Sequence, residues 1–138
     1  MAHRFLGSWG NKLGKTKFSF EDLEVWQYAI EFAKRVIDLS GQISTDKKHY
    51  RLIEQLEAAS TSVAMNIAEG KGRYSKKEFV QYLFIAKGSL FETITLLRIF
   101  HRMNWLSDAQ IDEVEDRAVR ISKMLSSLIK YVRDSIKK

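Results

Sequence analysis

The chain has 138 residues, 45% hydrophobic and 29% charged, a composition that suits one globular domain and excludes a disordered chain. Its net charge of +6 favours anionic partners such as nucleic acid or an acidic surface, and its pI near 9.5 is one footprint of a nucleic-acid binder. It has no cysteine, which excludes disulfides, thiolate catalysis and cysteine-based zinc sites, and no stretch approaches the roughly 18 uncharged apolar residues of a membrane span.

Residues 1–18 carry four cations and no acid. Three glycines break any helix there, while Phe5, Leu6, Trp9 and Leu13 give the segment an apolar side. It reads as a flexible basic leader, as a strap on a neighbouring subunit or as an arm on nucleic acid. The start of the chain shows no continuous apolar core of a secretory signal, so a cytoplasmic protein is the simplest expectation. The complete lack of proline suits long uninterrupted helices.

A first helix is expected over about 20–39. Ser19, or Asp22 a turn later, can cap it, and Leu23, Trp26, Ile30, Ala33 and Ile37 form a seam at 3–4 spacing. Gly41 is expected to stop it. A second helix is expected over about 46–69, with Leu52, Leu56, Ala59, Val63 and Ile67 as its seam. Small residues at Ala58, Ala59, Ser60, Ser62 and Ala64 let another helix approach closely. Gly70 fits the left-handed position that ends a helix.

A third helix is expected over about 75–103, opened by a capping box in which Ser75 and Glu78 bond each other's backbone N–H. Phe79, Leu83, Ala86, Leu90, Ile94, Leu97 and His101 form one seam. Tyr82, Phe84, Phe91 and Phe100 widen the apolar girth, which implies more than one neighbour and hints at self-association. Asn104 closes this helix. A fourth, over about 108–136, opens with a Ser107–Gln110 box. Its seam of Ile111, Val114, Ala118, Ile121, Leu125, Leu128 and Val132 holds the spacing of a coiled coil. Acids crowd its start, and Lys130, Arg133, Lys137 and Lys138 crowd its end, which complements the helix dipole. No segment alternates with period two and no hairpin dipeptide appears. The expectation is therefore an all-α, up-down-up-down four-helix bundle, a single domain over residues 19–138.

Three blocks carry a resemblance. They are Phe20-Glu-Asp-Leu23-Glu-Val-Trp26-Gln27-Tyr-Ala29, Asn66-Ile-Ala-Glu69-Gly70-Lys-Gly72-Arg73-Tyr-Ser75, and Phe79 with Ile85-Ala86-Lys-Gly88-Ser89-Leu90-Phe-Glu92. The chain resembles the bacterial four-helix bundle proteins known as 23S rRNA intervening-sequence proteins, whose reading frames lie in insertions within 23S rRNA genes. The middle block is the specific one, and its Asn66, Glu69, Gly70, Gly72, Arg73 and Ser75 form the family's turn motif. The resemblance implies a ring-like homopentamer. It also implies a distant likeness to the accessory proteins of diversity-generating retroelements, which associate with a reverse transcriptase and RNA. It carries over no agreed biochemical activity. This chain departs from the family in its second helix. Gln55-Leu56-Glu57-Ala58-Ala59 lacks the two arginines usual there, and Ala64 stands near the usual proline.

Charge is unevenly spread. Residues 21–69 hold five cations and nine acids, net −4, whereas residues 70–106 hold seven cations and two acids, net +5. Lys71, Arg73, Lys76 and Lys77 make a basic pole at the second connection. Cations beside a helix N-terminus oppose its dipole, at a cost of a few tenths of a kcal/mol, so these four read either as ligands for an anion or as an ordinary solvated loop. On the fourth helix Arg120, Lys123, Lys130 and Lys137 share a face, flanked by Arg117 and Arg133. They read as a track for a phosphate backbone or as the wet side of an amphipathic helix.

Asn66 is expected to bond a backbone carbonyl or a facing side chain, and Glu69 to pair with Arg73 across the glycines. No Gly-x-x-x-x-Gly-Lys-Ser/Thr run follows a strand, so Gly70, Lys71 and Gly72 are not a nucleotide-binding loop. Gly88, in mid-helix, calls for the close approach of a neighbour. His3, His49 and His101 are scattered without Glu-x-x-His pairs, and His101 reads as a core or interface histidine. No catalytic residue, metal, cofactor or small-molecule substrate is expected. The expected function is that of a non-enzymatic homo-oligomer binding RNA or a nucleoprotein partner, or else of a protein–protein scaffold.

Overall fold

The computed structural model describes residues 17–43 and 49–136. The basic leader therefore lies outside the described residues except for Lys17 and Phe18, as do the expected start of the second helix at Thr45 or Asp46 and the terminal Lys137 and Lys138. A short 3-10 helix, Ser19–Asp22, precedes four α-helices: α1 (Glu24–Gln42), α2 (Tyr50–Lys71), α3 (Lys76–Arg102) and α4 (Asp108–Ile136). Each helix packs on its sequence neighbours, α4 closes the ring against α1, and the backbones of neither diagonal pair approach one another among the described residues. None of these helices is long and apolar enough to cross a membrane.

Residues at helical spacing from all four helices fill the core. Phe32, Leu56, Leu83, Phe100 and Leu125 are among its fully buried side chains. In α2 the expected seam holds, with Leu56, Ala59, Val63 and Ile67 buried and Leu52 half-buried. In α4 it holds from Ile111 to Val132, with Ile129 joining it and Leu128 half-buried. In α1 Trp26 and Ala33 of the expected seam are buried, but the rest of it is corrected: Leu23 and Ile30 are only half-buried and Ile37 is exposed, and the buried face is completed by Val25, Ala29, Phe32, Val36 and Leu39. Both sets satisfy 3–4 spacing. The face between α2 and α4 is the one that buries Phe32.

The helix ends follow capping chemistry, with departures. The expected start at Ser19–Asp22 is the 3-10 turn, whose Glu21 carboxylate accepts the backbone N–H groups of Lys17 and Phe18. Gly41, expected as a stop, lies inside α1, where burial of Leu39 and Ser40 outweighs the roughly 1 kcal/mol that a helical glycine costs. Ser75 Oγ accepts the Glu78 N–H at 3.1 Å, but the Glu78 carboxylate returns to the Ser75 hydroxyl rather than to its backbone. At α4 both halves of the Ser107–Gln110 box form. Asn104 takes the left-handed conformation, φ 65°, and the Trp105 N–H reaches back to the Phe100 carbonyl, which closes α3.

Polar pairs tie the helices together. Ser40 donates to Glu57 between α1 and α2, and Ser62 meets Ser89 at 2.8 Å between α2 and α3. Arg98 pairs with Glu115 between α3 and α4, and Arg35 with Glu113 between α1 and α4. His101, expected in the core or an interface, is half-buried at the α3–α4 turn and meets the Asp108 carboxylate at 2.7 Å.

Candidate nucleic-acid interface

The motif turn joins the ends of α2 and α3. Gly70 lies inside α2 and does not take the left-handed form expected of it. A Cβ there would stand 2.5 Å from Tyr82 Cβ and 3.3 Å from the Phe79 carbonyl oxygen, so glycine is required by the close approach of α3. Gly72 ends α2 with right-handed backbone, φ −83°, its N–H directed at the Ala68 and Glu69 carbonyls. Gly88, to which a close approach was assigned, has nothing within 4 Å of an added Cβ and is exposed.

Arg73 is held on both sides. Its guanidinium pairs with Glu69 at 2.8 Å, bonds the Tyr82 hydroxyl and lies 4.7 Å from the centre of that ring. Asn66 donates to the Ser62 carbonyl and hydroxyl, each at 2.8 Å, and that hydroxyl meets Ser89 of α3. Asn66, Glu69, Gly70 and Arg73 thus bind α2 to α3, and Ser75 opens α3. This leaves the other three cations of the turn displayed. Lys71 lies 5.9 Å from the Phe79 ring centre, and Lys76 and Lys77 are exposed with no hydrogen bond or ion pair among the described residues.

The structure divides the fourth-helix cations. The last turns of α4 lie beside the motif turn, where a cleft of about 390 Å³ opens between Lys71, Arg73, Tyr74 and Lys76 on one side and Leu128 and Tyr131 on the other. On the α3 side of the same part of α4, Lys130 and Arg133 join Lys87 and Phe84 around a smaller cleft of about 310 Å³. Arg133 lies over the Phe84 ring, and Lys130 pairs with Asp134 at 3.1 Å. Arg117 lies about 21 Å from Tyr131 along the helix axis, at about 1.5 Å per residue. It pairs with Glu113 at 2.5 Å, and Arg120 donates to the Tyr28 hydroxyl. Partial burial pushes the Glu113 carboxyl up, but hydrogen bonds from Arg117 and Arg35 outweigh it and hold the group below its ordinary value. Of the six cations expected on this helix, Lys137 lies outside the described residues; of the other five, Lys123 alone is exposed with no such contact among the described residues, and the five do not form one continuous track.

Sequence reasoning missed the aromatic residues Tyr74, Phe79 and Tyr131 beside these cations, and also Lys87. The signal was aromatic interleaving: Tyr74 follows Arg73 and precedes Lys76, and Tyr131 follows Lys130.

The family described as 23S rRNA-intervening sequence protein has a sequence profile that matches residues 21–127. No curated protein matches the chain. A crystal structure of a protein with unknown function from the S23 ribosomal protein family of Bacteroides thetaiotaomicron VPI-5482 is similar, with a TM-score of 0.72 and 27% identity. The match covers 77% of this chain and 98% of that one.

Proposed function

We propose, for a chain that belongs to the 23S rRNA-intervening sequence protein family, a non-enzymatic cytoplasmic role: a homo-oligomeric bundle that binds RNA, free or in a nucleoprotein, through the basic pole at the α2–α3 turn. The observation that carries this reading is the division of labour in the turn. Arg73 is used to fix it, whereas Lys71 is displayed in the last turn of α2, where the dipole favours a cation, and Lys76 and Lys77 are displayed in the first turn of α3, whose dipole they oppose. Side chains placed against their own local stability fit an anionic partner. The surrounding groups are cations and aromatic rings, which hold phosphates and bases. A reverse transcriptase with its RNA is one nucleoprotein that fits the distant likeness described above.

The helices are read as running up-down-up-down. Supporting this, Arg35 meets Glu113 while Tyr28 meets Arg120, and Arg98 meets Glu115 while Lys87 meets Ser126, so each pair of helices is met in opposite order. Self-association, as the ring-like pentamer implied by the resemblance, is supported by the outer face of α3. Phe84, Ile85, Phe91 and Ile99 are each 43–51% exposed there, with Gly88 open between them. The same stripe favours the second reading, a scaffold whose partner is another protein.

Charge reversal separates the readings. Lys71→Glu/Lys76→Glu/Lys77→Glu leaves Arg73 and the turn intact and is expected to abolish RNA binding measured by fluorescence anisotropy, with oligomer mass unchanged. Unchanged RNA affinity would defeat the basic-pole reading. Phosphate contact also predicts a log–log salt slope of about −0.7 per contact for single strands, whereas an apolar protein interface would barely respond.

A further inference from the structure

The cleft between the motif turn and α4 combines three features that a bare phosphate site does not need. Its inner wall is apolar, formed by Phe79, Leu128 and Val132. Its mouth carries two tyrosines that none of the described residues covers, Tyr74 at 103% and Tyr131 at 73% relative exposure. Lys71 and Lys76 stand at the same mouth, free of ion pairs among the described residues. Its volume of about 390 Å³ is at the small end of the roughly 300–1,000 Å³ usual for ligand sites, room for a group of nucleotide size. Phosphate alone would be served by the lysines. An exposed aromatic ring is favoured where a flat apolar group stacks on it, and every unpaired base presents such a face.

We propose that this cleft takes one unpaired base of single-stranded RNA, stacked on Tyr74 and Tyr131 over the apolar wall, with Lys71 and Lys76 on the phosphates to either side. The proposal rests on the RNA reading given above and narrows it to unpaired strand, since a paired base is stacked within its duplex and cannot enter. Arg73 acts as a positioning residue, because its contacts with Glu69 and Tyr82 hold the turn that presents Tyr74.

The test compares a short labelled oligouridylate with an abasic oligomer of the same backbone and length, both titrated against the full chain at low salt. Expected is tighter binding of the base-bearing strand by roughly five- to 150-fold, the range of one stacked base. Tyr74→Ala/Tyr131→Ala is expected to remove that preference and Tyr74→Phe/Tyr131→Phe to keep it. Both side chains are exposed, so neither change strips the core. Equal affinity for the two strands, or a preference that survives the alanine pair, overturns the cleft proposal. If the lysine reversal still releases both strands in that case, the broader RNA reading stands without it. If neither strand binds the parent chain, both readings fall. A loss of oligomer mass in the alanine pair makes the tyrosines a contact between protein copies and also overturns the proposal.

Discussion

Gly70 and Gly88 show how one residue type is fixed by opposite circumstances. Gly70→Ala would drive a methyl group to 2.5 Å from Tyr82 Cβ, with the α3 backbone behind it, and is expected to destabilise the bundle by about 1–3 kcal/mol in a urea titration. Its helical position and its nearness to α3 were both out of reach of local sequence, which favoured a left-handed stop. Glu113 carries a residue-scale prediction of pH dependence. Its carboxyl is held below the ordinary value by Arg117 and Arg35, so its contribution is complete above the unfolded group's pKa and is lost as pH falls through the lower folded one. Between about pH 5 and pH 3 the parent should therefore lose more stability than Glu113→Gln, followed by thermal unfolding. The difference should be small and shrink with salt, because this side chain is 39% exposed.

Of the four helices, α3 does most to determine what the protein can meet. One side buries Leu83, Ala86, Leu90, Leu97 and Phe100, and the other displays the apolar stripe around Gly88. Within one chain that glycine costs the helix about 1 kcal/mol with no contact to justify it. Ile85→Glu/Ile99→Glu is expected to reduce the particle in solution to the 16.1 kDa monomer while leaving helical circular dichroism intact. Retention of the parent mass would contradict self-association through α3. The existence of each helix was legible because the seams of α2, α3 and α4 each repeat at 3–4 spacing and Ser75 and Ser107 mark two starts. The buried face of α1 was not, since Ile30 and Ile37 fit the same period as Phe32 and Val36. Only the arrangement of α2 and α4 around the helix decides between them.

At the scale of the whole molecule, the basic pole was legible and its shape was not. The run from Lys71 to Lys77 could be read directly, as could the Glu69–Arg73 pair across the glycines. That α4 ends beside this turn is a consequence of packing, so the cleft and the meeting of Tyr74 and Tyr131 at it had no local signature beyond their place among cations. The rise along α4 carries Arg117 and Arg120 away from the pole; Arg117 pairs with Glu113 one turn earlier in the same helix, and packing against α1 gives Arg120 a partner in Tyr28. Among the described residues, cations cluster at the α2–α3 turn and an apolar stripe lies on α3, the two surfaces on which the proposed RNA contact and the proposed self-association rest.

The most direct test of this account is the mass of the purified protein by light scattering, in low and then high salt, with the 260/280 absorbance ratio read on the same peak. A multiple of 16.1 kDa is expected, carrying nucleic acid at low salt and releasing it at high salt without dissociating. A 16.1 kDa particle with the absorbance ratio of bare protein at both salt concentrations would contradict it.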